Sequence, residues 1–131
     1  MLQNDVLTLS NDDVAAGVRR YLATVATGTA ADVTALYAAD ATVEDPVGSD
    51  PLQGHEAIRA FYATFEALPK TTELVTVRTC AGQAAFHFQI VVDLGGGATS
   101  TMAPLEVMTF DDDGLITSMR AFWSESDLVM G

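Results

Sequence analysis

Cysteine occurs once in the 131 residues, at Cys80, so no disulfide can close within the chain and no cysteine-built zinc site can form, a pattern expected of a reducing compartment. Basic residues are scarce as well. Six Lys and Arg against 18 Asp and Glu give a formal net charge of -12, which repels nucleic-acid phosphates and anionic lipid surfaces alike. Charged residues make up only 18% and hydrophobic ones 49%, a balance that excludes a disordered chain. Yet no apolar run approaches the roughly 18 residues that a membrane helix needs. The opening Met-Leu-Gln-Asn-Asp lacks the basic end and apolar stretch of a secretion signal. Together these absences predict a soluble, cytoplasmic globular protein with neither nucleic acid nor membrane as a partner.

Cofactor motifs are missing too. Gly95-Gly96-Gly97 has no lysine and no following helix to make a phosphate loop, and Asp111-Asp112-Asp113-Gly114 lacks the later glutamate of a calcium loop. His55 and His87 do not combine with other ligands at metal-binding spacing. No metal site is expected.

What is present has the length of one domain, residues 1–131, with residues 1–9 as an N-terminal tail; a domain of this size buries about two-thirds of its unfolded surface. Ser10 with the acidic residues after it starts a helix that Gly28 stops, and Val14, Val18, Tyr21, Leu22 and Val25 recur on one face at spacings of three and four. A second helix is predicted from about Thr29 to Ala39, with Val33, Leu36 and Tyr37 inward. Thr42 to Asp45 reads as a short strand, because Pro46 forces Asp45 out of helical geometry. A third helix follows Gly54 and carries an aromatic stripe of Ile58, Phe61, Tyr62 and Phe65 before Pro69. The second half holds β-branched and aromatic runs at about 72–79, 84–94, 99–110 and 115–124, separated by the glycine and aspartate turns. Helices first and strands after argue α+β: three N-terminal helices on a curved, mainly antiparallel sheet, forming a cone whose uncovered part is a deep apolar pocket. Its expected lining includes Phe86 and Phe88 on one strand, and Met119, Ala121 and Trp123 on the last.

Three polar residues stand out against this apolar pattern. Asp45 shares a strand face with Val43 while Glu44 points the other way, although Asp-Pro equally suits a surface turn. Tyr21 lies within the apolar stripe of the first helix, so its hydroxyl needs a partner, either structural or a ligand oxygen. Glu106 shares its face with Pro104, Met108 and Phe110; facing inward, it would be held neutral by desolvation and become a hydrogen-bond donor, and at an edge it would be a plain surface acid.

Arg20-Tyr21-Leu22, the run from Leu36 through Tyr37 to Glu44-Asp45-Pro46, Ala60-Phe61-Tyr62, Val107 to Asp111 and Ala121-Phe122-Trp123-Ser124-Glu125 closely resemble, in order and spacing, the corresponding segments of bacterial ketosteroid isomerases. The resemblance covers most of residues 20–125. It implies a nuclear-transport-factor-like cone, a homodimer built sheet against sheet, and cofactor-independent isomerisation of a β,γ-unsaturated 3-ketosteroid to its α,β-unsaturated isomer. By position Asp45 matches the base, Tyr21 the main oxyanion donor, and Tyr62 and Tyr37 the tyrosines that support it, while Val43, Phe61 and Met108 join the expected substrate-binding residues. One position departs: the family has an aspartic acid where this chain has Glu106. A steroid-binding protein without efficient turnover and a polyketide-cyclase-like enzyme on the same fold are the rival readings.

Overall fold

The computed structural model describes residues 9–131. The expected tail, residues 1–9, lies outside this range except for Leu9, which packs half-buried against the core. Helix α1 spans Asn11–Thr27. The Ser10 hydroxyl accepts from the Asp13 N–H at 3.0 Å, and Asp12 and Asp13 place negative charge at the positive end of the helix dipole. Val14, Val18, Tyr21, Leu22 and Val25 are all buried, the face that the spacing predicts. Gly28 closes the helix by close approach: its N–H donates to the Thr24 carbonyl at 2.7 Å, and a Cβ on it would lie 2.8 Å from that same oxygen.

The second helix is shorter than its sequence predicts. Helix α2 is Ala30–Thr34, and Tyr37 belongs to strand β1, Tyr37–Glu44. The cause is tertiary. Tyr37 pairs in parallel with Ile116 of a distant strand, and the Ile116 N–H donates to the Leu36 carbonyl at 2.9 Å, so a sheet ladder overrides the helical preference of an alanine-rich run. Tyr37 is nonetheless buried. After the two-residue β2, Leu52–Gln53, helix α3 covers only His55–Ala63. It ends well before Pro69, with the Thr64 hydroxyl donating to the Phe61 carbonyl at 2.7 Å, and Phe65 lies in the turn beyond.

The remaining strands are β3 (Lys70–Cys80), β4 (Gln83–Gly95), β5 (Ala98–Met102), β6 (Leu105–Phe110), β7 (Ile116–Phe122) and, after a 3₁₀ turn at Glu125–Asp127, β8 (Leu128–Met130). They form one eight-stranded sheet in the order β2-β1-β7-β6-β4-β5-β8, with β3 on β4. The sheet is mixed, since β1 and β7 run parallel. The expected strand 99–110 is broken at Ala103-Pro104, where proline offers no N–H to the ladder; β4 pairs with β5 along one half and with β6 along the other. Short β2, the 3₁₀ turn and β8 carry too few residues for a period-two pattern, and the sequence does not announce them.

The helices cover one face of this sheet. Thr72 ties them to it, its hydroxyl donating to the Leu22 carbonyl at 2.9 Å, and Phe86, Met108, Met119 and Ala121 are buried with the α1 stripe. No helix among the described residues is long and apolar enough to cross a membrane.

Candidate active site

Where the helices leave the sheet uncovered there is a cavity of about 330 Å³, bordered by Asp45, Tyr21, Tyr62, Glu106 and Trp123 together with apolar side chains. This is the lower end of the usual range for small-molecule sites. Each polar member arrives from a different element.

Asp45 is the first residue beyond β1, and strand alternation decides its direction. Val43 is fully buried in the core. Glu44 turns outward, accepting from Arg120 Nε at 3.2 Å and from the Gly48 N–H at 3.0 Å. Asp45 turns inward again, onto the cavity. There its Oδ1 accepts from the Trp123 indole Nε1–H at 2.6 Å. Burial raises the Asp45 pKa above the ordinary aspartate value, and the indole hydrogen bond works against that rise. The result is a partly desolvated, oriented carboxylate, which is a stronger base than one in water.

Three tyrosines form a chain of hydroxyls. Tyr62 of α3 lies in the middle, 2.7 Å from the Tyr21 hydroxyl and 2.7 Å from that of Tyr37. Their rings meet edge to face or tilted, with centroids 6.1 to 6.4 Å apart, an arrangement favoured by the ring quadrupoles. Tyr21 and Tyr62 border the cavity and Tyr37 lies behind them. Burial pushes all three phenols up, so all are neutral donors at ordinary pH. Two hydrogen bonds among three hydroxyls leave one O–H proton over.

Glu106 sits on β6, only 4% exposed. Its Oε1 is buried and has no hydrogen-bond partner among the described residues. Burial, and then the charge of Asp45, push its pKa well above the ordinary glutamate value. A buried carboxylate without a counter-charge is costly, so the group is held as a neutral acid with an O–H to give.

Of the residues expected to line the pocket, Phe61, Phe88 and Trp123 do so. Val43, Phe86, Met108, Met119 and Ala121 do not; they lie in the core, each at most 2% exposed. They share the right sheet face, but α1 covers that part of it, as the Phe110 ring 3.1 Å from the Cβ position of Gly17 illustrates. The wall instead continues through Ile90 and Val92 of β4, Leu22 and Val25 of α1, and Met102 and Phe65. Ile90 and Val92 extend the alternation that begins at Phe86, and Leu22 and Val25 belong to the α1 stripe, so those signals were in the sequence. His55 is engaged structurally, its Nε2 2.8 Å from the Tyr37 carbonyl oxygen.

Residues 18–119 match the model of the SnoaL-like domain. A steroid delta-isomerase of Nocardioides simplex is 50% identical over 118 residues, 90% of this chain and 95% of its own. Among solved structures, SalBIII, described as an epoxide hydrolase/cyclase-like enzyme in pyran ring formation in the polyether salinomycin, superposes with a TM-score of 0.82 at 24% identity, over 92% of this chain and 97% of its own. RV0760c from Mycobacterium tuberculosis gives 0.83 at 22% identity, over 95% and 100%. At these identities the two structures speak for a shared fold alone.

Proposed function

Because the chain belongs to the SnoaL-like domain family and to the bacterial ketosteroid isomerases within that fold, we propose that it is itself a steroid delta-isomerase with Asp45 as the base. The observation that carries this reading is the pairing of a base with an unused acid. Asp45 is raised but oriented by Trp123, and Glu106 is buried, neutral and without a partner among the described residues. Proton transfer beside a ketone needs a base at the carbon and donors at the oxygen that becomes negative.

The steps follow from these groups. The ketone oxygen sits between the Tyr21 and Glu106 O–H groups. Asp45 takes a proton from the carbon between the carbonyl and the double bond, and the C–H electron pair moves into the π system to give a dienolate. Its negative oxygen is stabilised by both donors. With Tyr37 donating to Tyr62 and Tyr62 to Tyr21, the proton left over is the one on Tyr21 that faces the ligand. Asp45 then returns its proton two carbons along, leaving the conjugated ketone. Every group ends in its starting protonation state, and the protein supplies all of them without a cofactor.

The same reading extends to assembly. Val75, Leu105 and Phe122 are 55%, 54% and 42% exposed on strands of the sheet, away from the helices. An apolar outer sheet face supports a homodimer packed sheet against sheet. The test of function is ultraviolet detection of the conjugated enone formed from a β,γ-unsaturated 3-ketosteroid. Turnover without added metal or nucleotide is expected; tight steroid binding with no turnover would make the protein a binder instead.

A further inference from the structure

The cavity runs away from its reacting groups along β4. Its reacting end lies at Glu106, which pairs with Phe86 of β4, and its wall still includes Val92 of the same strand. The β4 residues that line it, Phe88, Ile90 and Val92, span about 13 Å at roughly 3.3 Å per residue. The far end is walled by Val25, Phe65, Val92 and Met102, all apolar.

Beside that end stands Lys70, the only lysine in the chain. It pairs with Val92 across β3 and β4, so the two side chains share a sheet face. Its Nζ lies 5.7 Å from the centroid of the Phe65 ring, and it donates to the Leu68 carbonyl at 2.8 Å and to that of Glu66 at 3.5 Å. One of the three ammonium protons is left unused. Glu66 lies outside ion-pair distance, its Oε1 accepting from the Ala30 N–H at 2.5 Å, although its charge still acts on Lys70; among the described residues the one ion pair is Arg120 with Glu44. Beside the far end of an apolar cavity, a partly buried ammonium with no ion pair among the described residues can bind an anion, and in a chain of net charge -12 it offsets the repulsion that an acidic ligand would otherwise meet.

Building on the isomerase reading, we propose that the site takes 3-ketosteroids bearing an acidic side chain at the end remote from the ketone, and that Lys70 is the residue that reads the acid. The ketone meets Tyr21 and Glu106, the rings lie along Phe88 and Ile90, and the side chain passes Phe65 and Met102 so that its carboxylate accepts the free Lys70 proton. Specificity is then set at both ends of the slot, by hydrogen bonds at one and by charge at the other.

The test uses a conjugated 3-ketosteroid with a carboxylic side chain and the methyl ester of the same compound. Neither needs turnover, so the result stands apart from the isomerase assay. Binding is read from Trp123, the single tryptophan, which borders the cavity. The acid should bind about fivefold tighter than the ester at low salt, a ratio in keeping with a partly exposed charge pair, and the advantage should shrink as salt rises. In Lys70→Met the ratio should fall toward one, and Lys70→Arg should retain it. Equal affinity of acid and ester for the parent protein, or an undiminished ratio in Lys70→Met, would overturn the assignment. Failure of both compounds to bind would overturn it together with the steroid reading.

Discussion

Glu106 is buried with its Oε1 unpartnered among the described residues, and this environment predicts how substitutions rank. Glu106→Gln keeps a neutral donor of the same length and should be tolerated best. Glu106→Asp keeps the carboxylic acid with a shorter reach. On the proposed mechanism Glu106→Ala removes one oxyanion donor and should lower kcat by about 10²- to 10³-fold, as measured by enone formation. The same residue carries a stability prediction. Its folded pKa lies well above the ordinary value of 4.5, so across that window the folded protein holds a proton that the unfolded chain releases, and stability falls as pH rises. Thermal melts of Glu106→Gln should therefore gain on the parent as pH climbs above 4.5; a gap that stays constant with pH would mean that Glu106 is not held protonated. Trp123 offers an independent probe. Its indole N–H lowers the Asp45 pKa against the rise due to burial, so Trp123→Phe should move the acid limb of the kcat/KM profile to higher pH, and an unmoved limb would argue that Asp45 is not the group titrating there.

At the scale of elements, legibility followed the length of the local pattern. Helix α1 could be read to within a residue because its cap, its stripe and its terminating glycine all lie within its own segment. The spacing around Tyr37 predicts its burial but not its element, because what makes it a strand residue is Ile116, almost eighty positions away. The break at Pro104 could be suspected from proline, yet the exchange of β5 for β6 along β4 is a property of the whole sheet. Asp45 and Glu106 were conspicuous as acids on apolar faces; which acid would face a cavity and which would have a partner depended on where α1 stopped covering the sheet. Gly28 gives an element-scale test. Its φ of -93° is open to any residue, so Gly28→Ala carries no backbone strain, but the new Cβ would meet the Thr24 carbonyl oxygen at 2.8 Å and Asp32 Cβ at 3.2 Å. The junction of α1 and α2 should lose about 1–3 kcal/mol in urea unfolding. An unaffected midpoint would mean that α2 shifts freely against α1.

The whole molecule is strongly acidic, at net charge -12, and its sheet has one face under the helices and one face open with Val75, Leu105 and Phe122 exposed. If that open face joins two copies, sedimentation should give twice the chain mass, and Leu105→Glu with Phe122→Glu should reduce it to the mass of one chain. A parent protein that sediments as a monomer would remove the homodimer from the account. On the proposed mechanism Asp45 carries the proton, and the most direct measurement of this is the rate of enone formation by Asp45→Asn beside the parent, with steroid affinity measured on both. The amide fills the same space and cannot accept the proton, so the rate should fall on the order of 10²- to 10⁴-fold while affinity is largely kept. An Asp45→Asn protein that isomerises the steroid as fast as the parent would contradict the claim.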